Sequence, residues 1–235
     1  MNNEPAFLQE GFASILLGNV LIGIVPILVL VVFFVIVVRL ANRRKKGDVR
    51  QKTEDMLNKD NAANLTRNKE IGEELFYTPD EAKLPLREYT EAEMRQPVAA
   101  YMWQKKVVDI SAKKMLRFDR AYSNVELKQM FGPSNLEYVA RYEENFNNFI
   151  HSMRHWAEAL LAAGQTEDAR RILEESVAAG SELSQSYTKL ADIYAEAGDA
   201  ESLARLKSTV EKSPMPGKNI AAKHIENKLA EARKQ

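Results

Sequence analysis

His151, His155 and Glu158 stand four and then three positions apart, the spacing that brings three metal-ligating side chains onto one side of a helix. The chemistry they would do is metal-assisted hydrolysis, and it fails at the next requirement. The helical zinc-protease pattern carries its general base directly after the first histidine, and this chain has Ser152 there. On a helical wheel the three residues span about 60° and lie opposite Met153, Trp156 and Leu160. They read as the polar face of a packed helix, with no metal implied. There is no cysteine to act as a nucleophile and no glycine-rich phosphate loop. The carboxylate pairs Glu143-Glu144 and Glu174-Glu175 fall on helix faces expected to be solvated. The chain is therefore expected to bind and not to catalyse, with no cofactor.

The elements that carry these residues repeat. Met153, Trp156, Ala157, Leu160, Gly164, Ala169 and Gly180 return thirty-four positions later as Tyr187, Leu190, Ala191, Tyr194, Gly198, Leu203 and Pro214. Apolar residues three and four apart make one stripe on a first helix, Ala157 or Ala191 lets a second helix approach, and Gly164 or Gly198 supplies the turn. Thr166 and Asp199 stand where a second helix starts and its free amides need an acceptor, and Pro214 ends the last one. The motif Tyr187-x2-Leu190-Ala191-x2-Tyr194, followed by Ala197-Gly198-Asp199, resembles the tetratricopeptide (TPR) family. That resemblance implies helical hairpins over about 150–183 and 184–217 within a repeat region 134–217. In the second copy Lys207 replaces the bulky apolar residue of the pattern, so the last repeat helix is expected to pack less tightly. No third standard repeat precedes the two, since Ser123 and Glu126 occupy positions that want alanine and an apolar residue.

Two repeats bury little surface alone, so flanking helices must complete the core. Downstream, residues 218–235 place Ile220, Ala221, Ile225, Leu229 and Ala232 on one stripe of a basic capping helix. Upstream, Leu136, Val139, Phe146, Phe149 and Ile150 extend the first repeat helix back to Ser134. Residues 98–133 read as two accessory helices, Val98 to Leu116 and Asn124 to Phe131, the second opened by a Ser123/Glu126 capping box. Aromatic and basic residues interleave there, Trp103 and Lys106 among them. They are expected to pack on the repeats and to cover a solvated face, with no nucleic acid as partner.

Members of the TPR family use the inner faces of their first helices as a peptide groove. Carried onto this chain, the resemblance implies His151, Arg154, Glu158 and Leu161 from the first repeat and Gln185, Thr188, Asp192 and Ala195 from the second. The lysines and asparagines that grip a C-terminal carboxylate in some members are not reproduced. A groove of mixed charge suits an internal peptide or helix of a protein partner.

The other end of the chain has a different character. Residues 11–38 contain no charged side chain, and twenty of the residues from Ile15 to Val38 are Ile, Leu, Val or Phe. As a helix this stretch is about 42 Å long, against a hydrocarbon core of roughly 30 Å, so it reads as a transmembrane helix. Arg39, Arg43, Arg44, Lys45 and Lys46 follow it, and residues 1–10 hold Glu4 and Glu10 without a cation. The basic flank stays inside, which implies an extracytoplasmic N-terminus and a cytoplasmic C-terminal region in a bacterial cell membrane. The formal charge of zero hides blocks: +6 over 39–52, −5 over 53–97, +4 over 98–133, −6 over 134–217 and +3 over 218–235. The first of these would meet anionic lipid headgroups. Residues 39–97 read as a basic juxtamembrane segment and polar linker, with Pro79, Pro85 and Pro97 set too close for long helices. A short helix at Asn64 to Phe76 is possible there, and Leu75-Phe76-Tyr77 could dock on a partner or on the chain's own globular part.

The fold class is thus all-α: one N-terminal transmembrane helix, a polar tether and a TPR-like helical-hairpin domain with flanking helices. The function this implies is a single-pass membrane-anchored adaptor or scaffold. Two other readings share the architecture. One is a small subunit of a translocase, secretion or envelope complex assembling through Ser14, Gly18 and Asn19, a small-xxx-small pattern with a polar neighbour. The other is a receptor for precursor proteins during import.

Overall fold

The computed structural model describes residues 30–31, 33–39, 51–95 and 98–232. The chain divides into two compact units, Met1–Ala62 and Ala63–Gln235. In the first, residues 30–31 and 33–39 are helical, and their large apolar side chains, Phe33, Phe34 and Ile36 among them, are exposed. Helix α1 covers 51–64. Among the described residues no helix is long and apolar enough to cross a membrane. Most of the expected span, with Ser14, Gly18 and Asn19, lies outside the described residues, as do Arg43, Arg44, Lys45 and Lys46; Arg39 is helical and exposed.

The described residues of the second unit are mostly helical. They run through α2 (Glu91–Arg95), α3 (Ala99–Ser111), α4 (Asn124–Phe131), α5 (Leu136–Ala162), α6 (Thr166–Ala178), α7 (Ser184–Glu196), α8 (Ala200–Lys212) and α9 (Lys218–Ala232). From α5 onward each helix packs on its neighbours in the chain, α9 against both α7 and α8, and α3 lies along α5. Gly164 and Gly198 hold φ of 74° and 70° in the turns from α5 to α6 and from α7 to α8, a conformation a side chain disfavours. Trp156, Ala157, Leu173, Leu190, Ala191 and Leu203 are fully buried or nearly so and form one continuous core. Tyr194 joins the hairpins, its hydroxyl donating to Glu174 Oε1 at 2.7 Å.

Helix α8 packs as closely as the others. Lys207 sits between Glu211 and Glu226, 3.7 Å from each, while Leu203, Leu206 and Val210 supply the buried side chains. The apolar stripe has moved one position round the helix, and Lys207 stands partly in solvent beside its two carboxylate partners. Asp199 caps α8 through the Ser202 amide at 2.9 Å. Thr166 is the first residue of α6, and the preceding Gln165 offers no side-chain cap.

The stretch expected to be a polar linker differs most. Residues 51–64 are helical, and the possible helix from Asn64 to Phe76 is absent. Beyond a short turn at Glu73–Leu75 the chain forms β1 (Phe76–Tyr77), paired antiparallel with β2 (Met115–Leu116). The cause is apolar: Tyr77 meets the rings of Phe146 and Phe149 at 5.3 and 5.8 Å, and Phe76 meets Tyr142 at 5.9 Å. Leu84 is buried in the main core and Pro79 is buried as well. The prolines direct an extended path over the helices, and the Leu75-Phe76-Tyr77 cluster is docked on the chain itself. For the same reason α3 stops at Ser111, because Met115 and Leu116 are taken by the ribbon.

A smaller cluster of Leu116, Leu127, Phe131 and Val139 lies under this wrap. The Lys69 amide donates to the Phe131 carbonyl at 3.0 Å and Asn135 Nδ2 donates to the Lys69 carbonyl at 2.8 Å. The crossing is tight at Gly132, where φ is 87° and a Cβ would come within 2.6 Å of Asn68 Cα. Helix α4 opens with the capping box expected of it, Ser123 Oγ accepting from the Glu126 amide and the Glu126 carboxylate accepting from the Ser123 amide.

Candidate functional site

Helix α5 carries two polar rows on the side opposite its buried stripe, one running from Arg154 to Glu158 and the other preceding it from Glu143 to His151. The first row begins with Arg154, whose Nη1 donates to Glu158 Oε1 at 2.7 Å. His155 Nδ1 lies 3.2 Å from Glu158 Oε2, and Lys189 Nζ of α7 lies 3.4 Å from Oε1. The Arg154 guanidinium also meets His155 Nε2 at 2.7 Å. Guanidinium has no acceptor, so a lone pair at Nε2 and a proton on Nδ1 satisfy both contacts. The His155 ring stacks on Trp103 of α3, centroids 4.5 Å apart and planes 15° from parallel, and Lys106 Nζ lies 4.9 Å from the Trp103 centroid. Burial alone would raise the Glu158 carboxyl, but Arg154 and then Lys189 hold it below the usual range.

A second network runs from α7 to α9. Asp192 Oδ1 is 2.8 Å from His224 Nε2 and 3.4 Å from Lys228 Nζ. Of the groove positions implied by the resemblance, Arg154 and Glu158 thus join one ion-pair network that ties α5 to α7, and Asp192 joins a second that ties α7 to α9. Thr188 is half-buried and donates to the Gln185 carbonyl at 3.2 Å, while Gln185 is exposed. Leu161 and Ala195 are half-buried and pack on the core. His151 is not with them. It faces the second row, in which Glu143, Asn147 and His151 follow at intervals of four along α5 and line a separate cavity.

Ser152 is buried and its hydroxyl donates to the Asn148 carbonyl at 2.7 Å. Among the described residues no group of three or more His, Cys, Asp or Glu is placed to hold a metal ion. What the two networks can do is fix the spacing of α5, α7 and α9 while leaving half-exposed donors and acceptors for a second chain. Trp103, Lys189, His224 and Lys228 belong to them and were not among the residues singled out by spacing. The signal for His224 and Lys228 was present, since they lie one helical turn apart on the polar side of the terminal helix.

No family model matches this chain, and neither a curated protein nor a solved structure matches it.

Proposed function

We propose that this chain is a single-pass, membrane-anchored adaptor of TPR type that presents the α5–α7–α9 face to a protein or peptide partner on the positively flanked side of the bilayer. The observation that carries the reading is the pair of hairpins at a period of thirty-four residues, whose first helices keep a polar face held by ion pairs and only partly covered. A face of that kind supplies rigid, spaced contacts, which lowers the ordering cost of binding. The anchor is supported by the uncharged run ending at Val38, whose described apolar side chains are exposed, and by the basic block from Arg39 to Lys46, which would rest among anionic headgroups. This is a binding role, with no catalytic residue assigned.

The test is affinity capture of the full chain from detergent-solubilised membranes. Gln185→Lys combined with Thr188→Lys adds charge to the face without removing any ion pair of either network. The partners held by the unaltered chain are expected to be lost from the double variant while it stays in the membrane fraction. Retention of the same partners would contradict the assignment of this face.

A further inference from the structure

A cavity of about 240 Å³ opens between the residues that follow β2, the second polar row of α5 and the turn joining α6 to α7. Phe118, Phe146, Ile150 and Leu183 give it an apolar floor. Glu143 and Asn147 of α5 and Glu182 of the turn stand at its wall. Among the described residues no cation is paired with Glu143 or Glu182. Arg120 also lines the space, but its guanidinium is committed to Glu126 at 2.8 Å and lies over the Tyr122 ring at 3.9 Å. We infer that this cavity binds a small organic cation, an ammonium group carried on an apolar body.

The size of the ligand follows from the volume. A dry cavity of about 150 Å³ takes one benzene, so 240 Å³ suits about ten non-hydrogen atoms on that scale. Its charge follows from the walls. An anion would face two carboxylates without a free guanidinium, whereas an ammonium can pair with them and rest its apolar body against Phe118 and Phe146. A metal ion is the other cation to weigh, and the carboxylates and His151 do not converge as a ligand set. His151 adds no positive charge, because burial, then Arg154 and His155, hold its imidazole below the usual range. The Glu143 carboxyl is raised by burial and then by Glu182, and an ammonium set between the two would relieve their repulsion. This site is separate from the proposed partner face and does not depend on it.

The probe is phenethylamine, close to the required size, titrated calorimetrically into the full chain in lipid nanodiscs, with 2-phenylethanol and 3-phenylpropanoate as neutral and anionic counterparts and empty nanodiscs as blank. The amine is expected to bind about tenfold more tightly than the alcohol, the scale of one charge-assisted contact, and the carboxylate is expected not to bind. Glu143→Gln and Glu182→Gln should each weaken the amine about tenfold, the second serving if the first disturbs folding, since Glu182 is exposed. No amine binding, binding of 3-phenylpropanoate at equal strength, or affinity indifferent to both substitutions would overturn the inference.

Discussion

The hairpin stack and the segment wrapped on it are held by different means. From Leu136 to Ala232 the helices bury one continuous set of large side chains, Trp156 at its centre. From Ala63 to Phe131 shorter elements lie against α5; Leu84, Ala100, Val107 and Ile110 enter the main core, and the rest is held by a four-residue cluster, a ribbon of two-residue strands and single hydrogen bonds such as that from the Lys69 amide. Damage to the stack should therefore unfold the unit, and damage to the wrap should loosen one stretch of it. The difference bears on where adaptability can reside: the proposed partner face is built on the stack, while the cavity takes one wall from residues beside the wrap.

The comparison can be broken most severely at Trp156. Its removal as Trp156→Ala is expected to cost about 3–5 kcal/mol and to lower the midpoint of thermal unfolding by circular dichroism. A loss below about 1 kcal/mol, a third or less of the typical cost for a core aromatic, would deny the stack its core. Gly132→Ala comes next. The positive φ and the approach of Asn68 predict a loss of about 2 kcal/mol, with amide exchange accelerated at Lys69 and unchanged in α6. Equal acceleration in both would mean that wrap and stack open together. Ser123→Ala, which removes one arm of the capping box, should cost about 1 kcal/mol.

The smallest effect is a titration. Hydrogen bonding from Arg120, then from the Ser123 amide and hydroxyl, lowers the Glu126 carboxyl to about 2. The folded group is the stronger acid, so its contribution is complete above the unfolded value and is lost as pH falls toward about 2. Carbon-detected NMR should place the Glu126 midpoint there, and Arg120→Ala should raise it more than Ser123→Ala does. The reverse order would show that the cap, and not the guanidinium, governs this carboxylate.

Parts of the molecule are legible in the residue order because their causes are local. The Ser123/Glu126 capping box, the Asn124 to Phe131 helix it opens and the glycine turns after α5 and α7 all arise from neighbours within a few positions. The ribbon does not. Phe76 and Tyr77 are forty and thirty-eight positions from Leu116 and Met115, and only the closed fold shows that each finds the other. Pro79 and Pro85 correctly excluded long helices between them, but the same residues serve a disordered spacer and an extended strap equally well. At the candidate face, spacing selected Arg154, Glu158 and Asp192, whereas Lys189, His224 and Lys228 join them only because α7 and α9 come alongside. The cavity was beyond any local pattern, since its lining comes from three separate segments, although Glu143, Asn147 and His151 share one side of α5.

The central claim is that the first-helix face, and not the outer helices, receives a partner at the membrane. The direct measurement is photocrosslinking in intact membranes from a benzophenone side chain placed either at Thr188 of α7 or at Ala204, an exposed position of α8. The account predicts a discrete crosslinked protein from position 188 and none from position 204. Capture from 204 alone, or the same product from both, would contradict it.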